Sequence, residues 1–253
     1  MLVLFDFSGV YGQQDFYEGR TSVKKECQDI PGTNCYCDEE ARTRLISEIR
    51  DLPFRGIHFL DSGNYHYLSR LWLEKLCEPF VLLMLDHHTD MQPPAFGGLL
   101  SCGGWLEDAL ASLSNLKGVW LAGPPDADLS RISEKHRERV KTLSQEEMGR
   151  EGALERFVSQ IPLGLPVYVS IDKDVLSPEE VTCNWSQGSL GLKELKQGLR
   201  VLYKRVGAAV IGVDICGEPR SDSPRGEINR SSHVNAELLS FLEDMERNGN
   251  NEE

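Results

Sequence analysis

Phe80 to Leu85, read FVLLML, is an unbroken apolar run that ends abruptly in DHHTD, residues 86–90. Successive strand side chains point to opposite faces, so a strand apolar at every position needs cover on both sides. That is the condition of a central strand in a parallel sheet. Shorter runs of the same kind recur as LVLF near the start, GIHFL, KGVWLAG, PVYVSID and AAVIGVDI. Between them the apolar spacing turns helical. Ala41, Leu45, Ile46 and Ile49 share a face after a capping Asp38, and Leu68, Leu71, Trp72 and Leu76 form a second stripe. Helices are also predicted over Trp105–Leu116, Leu129–Val140, Leu192–Val206 and Val234–Met245. Another runs from the capping box Ser144/Glu147 towards Ile161. Strand and helix alternate throughout, which predicts a three-layer α/β/α fold with a mainly parallel central sheet.

A chain of 253 residues, 40% hydrophobic and without repeat or linker, predicts one domain over residues 1–247 with a frayed tail at 248–253. The net charge of −13 leaves no basic footprint for nucleic acid or an anionic membrane. No run reaches membrane-spanning length, and LVLFDFSGV reads as a strand rather than a signal peptide. Seven cysteines, an odd number without regular spacing, imply reduced thiols and a cytoplasmic setting. Residues 11–34 are polar and turn-rich and are predicted to form a long surface loop.

The chemistry concentrates at two strand ends. Asp86, His88 and Asp90 alternate directly after FVLLML, and Asp172 and Asp174 alternate in SIDKD. Residues two apart on a strand face the same way, roughly 6.5 to 7 Å apart, so each set converges if the chain stays extended. If the two strand ends are neighbours, four carboxylates crowd one small space. Their repulsion would force some to take up protons unless cations intervene, and two divalent ions balance four negative charges. Carboxylates with one or two imidazoles suit Mn²⁺ better than zinc, whose structural sites favour sulfur and nitrogen. His66 sits at a strand-to-helix junction in SGNYH. His58 and His136, taken alone, read as surface or satisfied core residues.

At these motifs, DHHTD and SIDKDVLSP, the sequence resembles the arginase (ureohydrolase) family from about Gly56 to Pro219. The resemblance implies an arginase-like fold and two manganese ions bridged by Asp86 and Asp172. It implies Asp90 on one ion, His88 and Asp174 on the other, and His66 as a further ligand. It also implies hydrolysis of a guanidino carbon by a hydroxide held between the ions, releasing urea and an amine, with Asp90 carrying the proton. The loop MQPPAFGGLLSCGGW, expected over the sheet's carboxyl edge, carries no histidine, which argues against free arginine. Gln92 and Cys102 are its candidates for substrate contact.

Glu218, in GVDICGEP, is the candidate acid for pairing with a guanidinium, a geometry that two parallel hydrogen bonds make specific. Strand alternation points Lys173 away from the metals, towards an ion pair on the other face, and turns His87 away from Asp86 and His88. His233 is a candidate proton shuttle or helix cap. Three readings follow: a manganese-dependent hydrolase of a small guanidino or amidino substrate, for which the resemblance leaves a homo-oligomer open because relatives are often oligomers; a deacetylase-like amide hydrolase on the same site; and a non-catalytic metal-binding member.

Overall fold

A computed structural model describes residues 1–93 and 98–249. The chain runs β1 (Leu2–Asp6), β2 (Ser22–Glu26), β3 (Tyr36–Cys37), α1 (Glu39–Ile49), β4 (Ile57–Phe59), α2 (Leu68–Leu73), β5 (Phe80–Leu85) and β6 (Leu100–Ser101). It continues through α3 (Trp105–Ser112), β7 (Leu116–Ala122), α4 (Asp126–Leu129), β8 (Val140–Leu143), α5 (Gln145–Met148) and α6 (Ala153–Val158). It ends with β9 (Val167–Asp172), α7 (Leu192–Val206), β10 (Val210–Cys216) and α8 (Arg225–Gly249). Eight strands form one sheet in the order β2-β1-β4-β10-β9-β5-β7-β8, and every pairing in it is parallel. β3 and β6 make a separate antiparallel ribbon.

The period of two in β5 sorts its side chains between two cores. Val81, Leu83 and Leu85 pack under Leu154, Leu199 and Leu238 of α6, α7 and α8. Leu82 and Met84 pack with Leu45, Leu71, Trp72 and Trp105 of α1, α2 and α3. These are the two helical layers of the expected α/β/α sandwich. Among the described residues no helix is long and apolar enough to cross a membrane.

The departures have local causes. The predicted loop at 11–34 contains β2, an edge strand whose sequence SVKKE carries no apolar alternation. Its lysines are what an edge strand uses to stay unpaired with other chains. The helix expected over 129–140 is a short α4, a turn at Glu134–His136 and then β8, the opposite edge. The capping box of Ser144 and Glu147 is present, but α5 stops at Met148. Gly152, in the left-handed region at φ 67°, starts α6 afresh. The third helix ends at Ser112, so that Leu116 can begin β7, and the last begins at Arg225 instead of Val234. Asn248 and Gly249 belong to α8. Residues 250–253 of the expected tail, and 94–97 of the expected loop over the site, lie outside the described residues.

Candidate metal centre

β5 and β9 are adjacent, with Leu85 opposite Ile171, so Asp86 and Asp172 follow side by side at the carboxyl edge of the sheet. β10 lies on the other side of β9 and brings Cys216 opposite Asp172. The condition set by the sequence, that the two acidic strand ends be neighbours, is met.

The chain does not stay extended beyond either strand. After Asp86 it bends, with the His88 amide donating to Asp86 Oδ1 at 2.6 Å and the His87 amide to Asp174 Oδ1 at 3.0 Å. Asp90 adopts a left-handed backbone, φ 49°, uncommon for a residue with a Cβ. Its carbonyl accepts from the amide of Leu106 at the start of α3, and its Oδ2 accepts from Trp105 Nε1 at 2.6 Å. Capping α3 is thus what turns the Asp90 carboxylate back towards Asp86. In SIDKD a single helical turn over Lys173–Val175 does the same, Asp172 Oδ1 accepting from the Asp174 amide at 3.0 Å.

The result is two triads that share Asp86: His66 with Asp86 and Asp90, and His88 with Asp86 and Asp174. His66 Nδ1 lies 3.1 Å from Asp86 Oδ2, 3.0 Å from Asp90 Oδ2 and 3.7 Å from Asp172 Oδ2. Its Nε2 is hydrogen-bonded to Ser170 Oγ at 2.8 Å, which fixes the ring and leaves Nδ1 facing the acids. His88 Nδ1 lies 2.8 Å from Asp174 Oδ2 and 3.6 Å from Asp86 Oδ1, and its Nε2 meets Ser186 Oγ at 2.9 Å. Asp86, Asp172 and Asp174 are each at most 3% exposed.

Burial, then the charge of Asp86, push the Asp90 carboxyl up to about 6 and also raise Asp172. Burial and Asp172 hold Asp174 well above the carboxylate range. Burial works in the same direction on Asp86, but His66 and His88 outweigh it and lower that carboxyl. Both imidazoles are raised against the opposing effect of burial, His66 by Asp86 and Asp90, His88 by Asp174 and Asp86. The acids therefore demand positive charge, and protons on two imidazoles supply only half of what four carboxylates need. Asp86 Oδ2 is buried without a hydrogen bond although His66 Nδ1 is 3.1 Å away. An orphaned carboxylate oxygen between two imidazole-containing triads fits a pair of divalent cations bound by oxygen and nitrogen.

Above these residues opens a cleft of about 220 Å³, whose walls include Gln92 and Cys102. Glu218 is not among its lining residues. It is fully buried and anchors the opposite side of the Lys173 turn, with Oε1 2.6 Å from Lys173 Nζ and 2.7 Å from Asn235 Nδ2. Gln14 Nε2 and Ser231 Oγ donate to Oε2. Lys173 thus makes the ion pair expected on the far face, and its partner is the acid expected to meet a guanidinium. His233 is exposed, eight residues into α8 and distant from any cap. His87 is half-buried, with Nδ1 unpaired, and His58 is a core residue held by Asp214 at 2.8 Å.

Four residues beside the ligands were given no role from the sequence: Cys216, Ser170, Trp105 and Gly217. Cys216 donates its thiol to Asp172 Oδ2 at 3.1 Å, and burial and Asp172 keep it protonated. Its position at the end of AAVIGVDIC was the available signal. Ser170 alternates with Asp172 and Asp174 in SIDKD, which was its signal, whereas Trp105 carries none in its spacing. Gly217, at φ 90°, lies so close that a Cβ would meet Asp172 Oδ1 at 2.5 Å, so only glycine fits beside this carboxylate.

The Arginase family model matches residues 61–240. An uncharacterized protein of Thermotoga maritima is 31% identical over 242 residues, spanning 94% of this chain and 88% of its own. The fold is that of the agmatine ureohydrolase of Thermoplasma volcanium, with a TM-score of 0.71 at 14% identity, covering 99% of this chain and 91% of that one. It is likewise that of the Trypanosoma cruzi formiminoglutamase with Mn²⁺, with a TM-score of 0.64 at 15% identity over 94% and 93% of the two chains. With the motifs in DHHTD and SIDKD converging as they do, the chain belongs to the arginase family.

Proposed function

We propose that this chain is a manganese-dependent hydrolase of the ureohydrolase type, cleaving the carbon–nitrogen bond of a small guanidino or amidino compound. The observation that carries this reading is the pair of triads sharing Asp86 on the floor of one cleft. His66, Asp86, Asp90 and Asp172 would hold one Mn²⁺, and Asp86, His88, Asp172 and Asp174 the other. Two such cations supply a hydroxide nucleophile at neutral pH and Lewis acidity towards a planar, electron-poor carbon. The rest falls to the protein. Asp90, held in place by the indole N–H of Trp105, would take the proton of the attacking water and return it to the leaving amine. Ser170 and Ser186 keep the two imidazoles aimed, and Gly217 lets Asp172 sit at the strand end without steric conflict. Glu218, paired with Lys173, has no part in substrate binding in this reading.

The test is a panel of guanidino and acetylamino compounds with the Mn²⁺-loaded protein, scoring urea against acetate. Urea release that stops with a chelator and returns with Mn²⁺ is expected. Acetate without urea would shift the reading to an amide hydrolase, and turnover indifferent to chelation would end the metal mechanism.

A further inference from the structure

The floor of the cleft is strongly charged, but its walls are not. They are made by Cys35 and Tyr36 at the β3 end of the ribbon, Ser101 and Cys102 at the β6 end, Gln92, and Trp185. None of these carries a formal charge at neutral pH. Burial raises both thiols, so Cys35 and Cys102, joined by the Cys102 amide donating to the Cys35 carbonyl at 2.9 Å, stay protonated. The whole stretch from Met91 to Gly104, MQPPAFGGLLSCGG, contains no ionisable acid or base apart from Cys102.

Two large apolar side chains stand exposed at the mouth, Tyr36 at 40% and Trp185 at 42%. Trp185 is fixed there, its Nε1 donating to Asn64 Oδ1 at 2.8 Å and its ring set edge-on to His88 at 5.8 Å. A Cβ on Gly63 would lie 2.9 Å from both Asp172 Oδ2 and Trp185 Cδ1, so this glycine lets the indole close down against the metal-binding floor. Charges do occur in the groove beyond Gln92, but there Asp128 and Arg131 pair with each other at 2.9 Å. They leave no net charge to recruit an ion.

A substrate tail lying along such walls gives up water for thiols, an amide and two aromatic rings. An ammonium or carboxylate in that place loses hydration and finds no counter-charge, whereas an alkyl or aryl group gains from the same exchange. The rings would favour a cation weakly at so exposed a mouth. The volume of about 220 Å³, below the ~300 to 1,000 Å³ of drug-sized sites, favours a small tail, an alkyl chain or a single ring.

We infer that the substrate is a small guanidine or amidine whose remaining substituent is uncharged and apolar, held between Tyr36 and Trp185. This rests on the ureohydrolase reading and goes beyond it by excluding the amino-acid and polyamine tails. Tyr36, Ser101 and Trp185 are then the specificity residues, and the uncharged ribbon of β3 and β6 is the device that presents two of them.

The experiment compares kcat/KM of the Mn²⁺-loaded protein for propylguanidine and benzylguanidine with that for agmatine and 4-guanidinobutyrate. The neutral-tailed pair is expected to lead both charged compounds by about tenfold or more, the ratio worth ~1.4 kcal/mol. Ser101→Asp, which adds a counter-charge to the wall, is expected to move the ratio towards agmatine and not towards 4-guanidinobutyrate. Binding is read separately from quenching of Trp185 fluorescence, with Trp185→Phe as the control, and only the neutral-tailed compounds should quench. Equal or better turnover of either charged compound overturns this inference and leaves the ureohydrolase reading standing. Absence of urea from all four compounds, with acetate released from acetylamines, overturns both.

Discussion

Lys173→Met isolates the ion pair that displaced Glu218 from the cleft. Both partners are fully buried, and Lys173 Nζ spends its three donors on Glu218 Oε1 at 2.6 Å, Ser231 Oγ at 2.7 Å and Asn235 Oδ1 at 2.7 Å. Methionine preserves the stem and removes the charge, leaving the Glu218 carboxylate buried among Gln14, Ser231 and Asn235 without a cation. Breaking one side of a buried pair costs about 3 to 5 kcal/mol, out of a total stability of about 5 to 15 kcal/mol. At an m-value of about 3 kcal/mol/M, urea denaturation should show the midpoint falling by about 1 M or more. Adding Glu218→Gln removes the stranded charge and should recover at least half of the loss. The reasoning is refuted if Lys173→Met unfolds within about 1 kcal/mol of the parent, or if the double variant is no more stable than the single one. Glu218→Gln alone should leave KM for guanidino substrates unchanged; a raised KM would return Glu218 to the substrate.

Metal uptake should release protons, because Mn²⁺ competes with protons on His66 and His88, both raised, and on Asp90, pushed up to about 6. Affinity should therefore strengthen from pH 5 to 8, and calorimetry in two buffers of different ionisation enthalpy should show it; pH-independent affinity would contradict the ligand set. Trp105→Phe and Ser170→Ala each remove one hydrogen bond to a proposed ligand, 2.6 Å to Asp90 and 2.8 Å to His66. Each should weaken Mn²⁺ binding by about 10- to 100-fold while the far-ultraviolet circular dichroism stays unchanged. Gly217→Ala places a methyl 2.5 Å from Asp172 Oδ1 and 2.7 Å from the Lys173 amide, so it should abolish metal binding or yield insoluble protein; wild-type metal content would refute the steric argument.

The layers of the fold were legible because FVLLML and PVYVSID are apolar on both faces, a pattern that few structures other than a covered parallel sheet can bury. The edge strands were not, since β2 and β8 are short, charged and half-solvated, and nothing in SVKKE or VKTL distinguishes a pleat from a loop. Of the site, the grouping of Asp86, His88, Asp90, Asp172 and Asp174 followed from spacing, but the way they converge did not. The left-handed Asp90 and the turn over Lys173–Val175 depend on contacts with α3 and α8 that are distant in sequence. The ion pair of Glu218 was not legible for a related reason. Alternation correctly sent Lys173 away from the metal ligands, yet it could not say which acid awaited it, and a buried ammonium needs one. Trp105 acts on Asp90 through a single side-chain bond from a helix, which leaves no periodic trace, and the strand positions of Cys216 and Ser170 gave their faces but not their partners.

The most direct test of the central claim is the manganese content of the purified protein after dialysis against Mn²⁺ and removal of the excess. Two ions per chain are expected for the parent, and none for Asp86→Ala or Asp172→Ala, since each of these acids is proposed to bridge both ions. A parent holding one ion or none, or either variant retaining two, would contradict a dinuclear site built on Asp86 and Asp172.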